Sequence, residues 1–124
     1  MGTRFVATDE CDADMKYKME YINSNKEDIS IIQSPVGMPG RAIRNKFIKS
    51  VEQERISPKK CYNCIKKCNP KETSYCISNA LIEAVKGNVD DGLVFVGSNA
   101  YRIKKIITVK ELIKELVEEA EKYE

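Results

Sequence analysis

Ser34-Pro35-Val36-Gly37-Met38-Pro39-Gly40-Arg41-Ala42-Ile43-Arg44-Asn45 separates two kinds of local structure. Two prolines and two glycines between Pro35 and Gly40 break any regular element, so that part reads as a loop. Before it, Asp28 to Ser34 carries three isoleucines and is β-like. After it, a helix is expected from Arg41 to about Glu54. Ile43, Phe47, Ile48 and Val51 fall near one face of that helix, and Arg44, Lys46, Lys49 and Glu52 fall mostly outside. Ser57-Pro58 ends it.

Further outward, Gly2 to Thr8 has the β-branched and aromatic content of a strand end running into a turn. Met15, Met19 and Ile22, with Tyr17 and Tyr21, recur at helical spacing between Asp12 and about Asn23, and Asp12 or Asp14 stands where an N-cap belongs. Ser74 to Lys86 reads as a helix with Ile77, Leu81, Ile82 and Val85 apolar, stopped by Gly87 at C′. Leu93 to Val96 is a short apolar run that leads into the small-residue turn Gly97-Ser98-Asn99-Ala100. Thr108, with Glu111 completing a capping box, opens a last helix to about Tyr123, striped by Leu112, Ile113, Leu116 and Ala120. The sum is several helices with fragments of strand and no internal repeat. That describes either a small helical domain or a piece of something larger.

The 124 residues leave room for one domain, and 42% hydrophobic with 32% charged residues is an ordinary globular composition. With 21 basic and 19 acidic residues the formal charge is +2, too balanced to point to nucleic acid. No apolar run approaches membrane-spanning length, and the opening residues lack the pattern of a secretory signal, so a cytoplasmic protein without membrane contact is expected. Histidine is absent, which removes Ser-His-Asp and Cys-His catalysis and any imidazole-bound zinc from this chain.

Five cysteines are present; Cys61, Cys64 and Cys68 lie in the basic stretch Lys59 to Thr73, which has little with which to build a core, and Cys76 follows in the first turn of the next helix. Their spacing, C-x2-C-x3-C-x7-C, lets four thiolates converge on one soft centre; zinc and an iron-sulfur cluster both fit. Lys59, Lys60, Lys66, Lys67 and Lys71 would offset the charge of bound thiolates. Cys11, among Asp9, Glu10 and Asp12, suits a structural role.

Three stretches in order, Met1-Gly2-Thr3-Arg4-Phe5, Ser34 to Asn45, and Phe95-Val96-Gly97-Ser98-Asn99-Ala100, resemble the C-terminal third of the nitronate monooxygenase (2-nitropropane dioxygenase) family and its relative, the flavin-dependent enoyl-ACP reductase. The resemblance covers nearly the whole chain. It implies an α/β fold, the C-terminal part of a flavin-binding (β/α)8 barrel, mostly helical here with short strands. Residues 1–58 would hold the end of strand eight and the helices after it, 59–76 the cysteine loop, and 77–124 the C-terminal helices.

The resemblance further implies that Met1, Gly2 and Thr3 serve the FMN phosphate site, since such barrels hold phosphate at the loops after strands seven and eight. Gly97 and Ser98 match a loop that returns to the flavin, although relatives often carry Gln where Ser98 stands. The family's catalytic His has no counterpart in this chain, so no catalytic residue is assigned. The expected protein is a C-terminal fragment of an FMN-dependent oxidoreductase acting on a nitronate or an enoyl thioester, inactive without a barrel-forming N-terminal chain. The rival reading is a four-cysteine metal-binding helical interaction module. Arg41, Arg44 and Asn45, which could form an anion clamp, read better as a solvated helix face. Without a barrel beside them, Phe5, Val6, Leu93, Val94 and Phe95 would form exposed apolar patches.

Overall fold

The computed structural model describes residues 1–124 and combines helices with one short sheet. The elements are α1 (Gly2–Val6), α2 (Met15–Asn23), β1 (Ile29–Gln33), β2 (Pro39–Ile43), α3 (Lys46–Gln53), α4 (Ile77–Val85) and α5 (Val109–Glu121). Single 3-10 turns occur at Lys26–Asp28, Val89–Asp91 and Ala100–Arg102. No helix is long and apolar enough to cross a membrane.

The proline- and glycine-rich stretch turns out to be the bend of a hairpin. β1 and β2 pair antiparallel, from Ile29 opposite Ile43 to Gln33 opposite Pro39. Pro39 is tolerated because it opens its strand, where a missing N–H costs least. Arg41, Ala42 and Ile43 therefore extend the strand, and the helix expected from Arg41 begins only at Lys46. Asn45 sets that boundary. Its side-chain oxygen accepts from Ile48 N at 3.1 Å, and its amide nitrogen donates to Val89 O and Gly92 O, both at 2.9 Å. Asn45 is thus an N-cap that ties α3 to the segment before Leu93, and no part of a clamp or solvated face.

The free edge of β2 is covered by the apolar run. Ile43 N donates to Val94 O and Val96 N to Arg41 O, both at 3.0 Å, around a bridge between Ala42 and Phe95. Leu93 and Val94 have no exposed surface at all, and Phe5, Val6 and Phe95 are half-buried. At Leu93, Val94 and Phe95 the expected apolar patch does not form, because the hairpin supplies neighbours there.

The opening residues are helical where a strand end was expected. No strand lies beside residues 2–6, so their backbone groups are satisfied locally. Arg4 Nη1 donates to Ala7 O at 3.2 Å, and Thr8 Oγ1 to Phe5 O at 2.7 Å. Extended pairing starts only at Thr8, which bridges Ile107 in parallel.

Two apolar clusters hold these pieces together. One joins Ala7, Tyr21, Ile43, Ala84, Val94, Val96, Ala100 and Ile103; the other joins Ile32, Ala42, Phe47, Ile48, Tyr75, Ala80 and Leu93. In α2 the buried face is Lys18 and Tyr21, with Met15 exposed, so the face is rotated from the one that the methionines marked. The Tyr21 hydroxyl donates to Phe95 O at 2.8 Å.

The helix ends follow the sequence closely. Asp14 caps α2 through Lys16 N at 2.9 Å, and Gly87 follows α4 at φ +97°. The Glu111 carboxylate accepts from both Thr108 N and Thr108 Oγ1 at 2.9 Å, which holds its carboxyl below the usual range. Of the α5 stripe only Leu112 is fully buried.

Tyr75 is 2% exposed, packs edge-on against Phe47 at 5.2 Å between ring centroids, and leaves its hydroxyl without a partner. An orphaned buried hydroxyl costs about 1 kcal/mol or more, so Tyr75→Phe should be neutral or stabilising by about that amount in urea denaturation. Burial also pushes this hydroxyl up to about 12. The unfolded tyrosine ionises near the ordinary value of about 10, so the unfolded state loses its proton first and stability falls as pH rises from there towards 12. Tyr75→Phe should flatten that alkaline decline; a loss of stability would show that the hydroxyl is satisfied after all, and an unchanged decline would show that burial does not raise it.

Candidate functional site

The residues expected at a phosphate site come from the two ends of the chain, and one hydrogen bond joins them. Thr3, in the first turn of α1, accepts from Gly97 N through its Oγ1 at 2.9 Å, across 94 positions of sequence. Gly97 lies just after Val96, whose own N–H is held by Arg41. The position of Gly97 is therefore fixed by β2, and α1 is docked onto the same frame by a hydroxyl.

The bond also divides the donors. The Gly97 amide is committed to Thr3 and is not offered outward, whereas the Thr3 hydroxyl has accepted one bond and still has its proton to donate. Thr3 is half-buried, Gly2 and Ser98 are exposed, and Met1 is 80% exposed. A Cβ at Gly2 would meet nothing within 4 Å. The Arg4 guanidinium is turned back onto Ala7 O. Thr3 and Gly97 are thus held together at an open edge, with Ser98 exposed next to Gly97 and free space at Gly2.

Lys18 was not singled out from the sequence. It is only 4% exposed, and its ammonium donates to Thr8 O at 2.7 Å and to Asp9 O at 3.4 Å. It pins α2 to the chain segment that follows α1. The signal was its spacing of three from Tyr21, which puts both on one helix face.

The principal cavities lie elsewhere. One, of about 200 Å³, is lined by all four clustered cysteines together with Pro35, Val36 and Ile77. Cys61 and Cys64 are exposed, and Cys68, Cys76 and the separate Cys11 are partly buried; all five are free thiols. Although the four share one cavity, no three of these side chains, with or without a carboxylate, stand where a single ion could be held. The convergence expected from the spacing is thus not preformed.

Comparison with known proteins gives the frame. The family described as Nitronate monooxygenase matches residues 1–119. Among solved structures, FabK from Thermotoga maritima superposes with a TM-score of 0.67 at 27% identity, covering 100% of this chain and 39% of that one. A single-substitution mutant of the same FabK gives 0.66 at 26% identity, covering 100% of this chain and 36% of that one. This chain thus spans about two fifths of the length of those structures. No curated protein matches it. With 119 of its residues inside the family's pattern, the chain belongs to the nitronate monooxygenase family.

Proposed function

We propose that this chain forms the C-terminal part of an FMN-dependent oxidoreductase of nitronate monooxygenase type, and that it supplies one edge of the flavin phosphate site. The observation that carries the reading is the Thr3 to Gly97 hydrogen bond, because it unites the two segments that the family resemblance assigns to the flavin. Thr3 and Ser98 would donate hydroxyls to the phosphate, and the space at Gly2 would let it approach the backbone beside Met1. Bound FMN would carry the redox chemistry, with an alkyl nitronate oxidised by oxygen as the family reaction and enoyl thioester reduction as the sibling activity. The strands that would hold the flavin ring are expected from a barrel-forming segment, so the chain alone is inactive.

Joining residues 1–124 to the barrel portion of the Thermotoga maritima FabK would give a chimera that tests this role. Thr3→Val in the chimera should weaken FMN about tenfold, the loss of one hydrogen bond to a charged group, and riboflavin by less than about twofold. Equal weakening of both would mean that Thr3 merely holds the loop, and no weakening of either would remove Thr3 from the site.

A further inference from the structure

The segment from Glu54 to Cys76 contains neither helix nor strand. A structureless stretch of that length inside a small domain calls for a specific reason. Its two ends are tied. Arg55 donates to Thr73 O from Nε and to Pro70 O from Nη2, both at 2.8 Å, and Ile56 N donates to Ser74 O at 2.9 Å. What lies between is a closed loop whose side chains are polar, basic and sulfur-bearing, with Ile65 only half-buried. No apolar core holds the tip.

We propose that Cys61, Cys64, Cys68 and Cys76 bind a thiophilic metal centre, zinc or an iron-sulfur cluster, that clamps this loop to the hairpin turn and to the start of α4. Several observations converge on it. All four cysteines line one cavity, whose wall otherwise comes mostly from the loop itself and is completed by Pro35 and Val36 of the turn and Ile77 of α4. Within the C-x2-C pair, Asn63 takes a left-handed backbone at φ 51° and aims its N–H at Cys61 Sγ, 3.5 Å away. That places a backbone donor on sulfur, as a thiolate ligand needs. A second donor is Ser78 Oγ, 2.9 Å from Cys64 Sγ, reaching across from α4. Cys76 occupies the N-cap of α4 but makes no capping bond, so its thiol is not used in the helix.

The sulfurs are not yet gathered, which is the ordinary condition of a site that the ion itself assembles: a preformed arrangement rarely exists without metal. Each thiol gives its proton to solvent as its sulfur bonds the metal, and the exposed Lys59, Lys60, Lys66, Lys67 and Lys71 offset the negative charge that results. The centre does the work of a small core, fixing a loop that buries too little to fix itself.

Anaerobic purification with elemental and acid-labile sulfide analysis tests the site and has no flavin readout, so its failure leaves the FMN reading untouched. One zinc per chain, or iron and sulfide in equal amounts with a brown colour, supports the centre and identifies it. Metal-free, cooperatively folded protein, or protein whose clustered cysteines are paired as disulfides, overturns it. Cys64→Ser and Cys76→Ser should each retain metal at least about tenfold less well against a competing chelator, whereas Cys11→Ser should match the parent. Retention that is equal in all three variants overturns the assignment. If the serine variants fail to fold, the unaltered chain decides. Cobalt titration should saturate at one equivalent with thiolate charge-transfer absorption, and chelation should open residues 59–73 to protease while the helical circular dichroism persists. Cobalt binding without the thiolate band overturns the proposal.

Discussion

Gly92→Ala should be the most damaging single methyl addition in this protein. A Cβ at Gly92 would lie 2.6 Å from both Cα and Cβ of Ala84 and 2.7 Å from its backbone nitrogen. Two of those atoms are main chain of α4, so no side chain can rotate out of the way. Ala84 has no exposed surface, and neither have Leu93 and Val94 immediately after Gly92. Relief therefore requires α4 to move off the apolar run, which breaks the Leu93 N to Ala80 O bond at 3.0 Å and opens both apolar clusters. Overpacking costs about 1–3 kcal/mol where side chains can yield, and this site stands at or beyond the top of that range. About 3 kcal/mol corresponds to roughly 10 °C in the thermal midpoint of a domain this size. Adding Ala84→Gly should rescue only part, since it removes the Cβ contact and leaves the two backbone contacts in place. A Gly92→Ala protein within about 0.5 kcal/mol of the parent would show that the two segments are not in close contact.

Lys18→Met should cost about 2–3 kcal/mol in chemical denaturation, for a different reason. Methionine keeps the apolar stem and removes the ammonium, leaving the buried Thr8 carbonyl without its donor at 2.7 Å. None of the salt bridges in the structure includes Lys18, so its charge is held by backbone carbonyls, and no partner carboxylate would be stranded by the substitution. The loss is thus that of a charge-assisted bond plus one unsatisfied buried acceptor. Lys16, exposed on the same helix, provides the control: Lys16→Met should change stability by less than about 0.5 kcal/mol. Equal effects at the two positions would mean that the buried amine contributes nothing beyond its position on the helix.

What could be read from the sequence was what depends on near neighbours. The Asp14 cap, the Thr108 and Glu111 capping box and the Gly87 terminus each involve residues within a few positions, and each stands where expected. The second strand was missed because Pro39 and Gly40 carry loop signals locally, whereas their pairing with Gln33 and Ile32 is set across the hairpin. The opening strand was misread for the complementary reason: β-branched content favours a strand only where another strand lies alongside, and residues 2–6 have none. The burial of Lys18 was marked only by its spacing from Tyr21, and the cross-linking by Asn45 depends on segments more than forty positions away, which no local pattern encodes.

The candidate site was legible in another way. Composition and periodicity gave no reason to connect Thr3 with Gly97, 94 positions apart, and the family resemblance did. The cysteine spacing announced a common destination, and the four do share a cavity, but the bends that aim each sulfur were not visible in the spacing.

The most direct test of the account is an FMN titration, followed by flavin fluorescence, of residues 1–124 alone and of the chimera that carries the barrel portion. Saturable, stoichiometric binding by the chimera is expected, with none at micromolar concentrations by the chain alone, because on the proposed reading Thr3 and Ser98 supply only one open edge of the phosphate site. Stoichiometric micromolar binding by the 124 residues alone would contradict it, since the flavin site would then be complete within this chain.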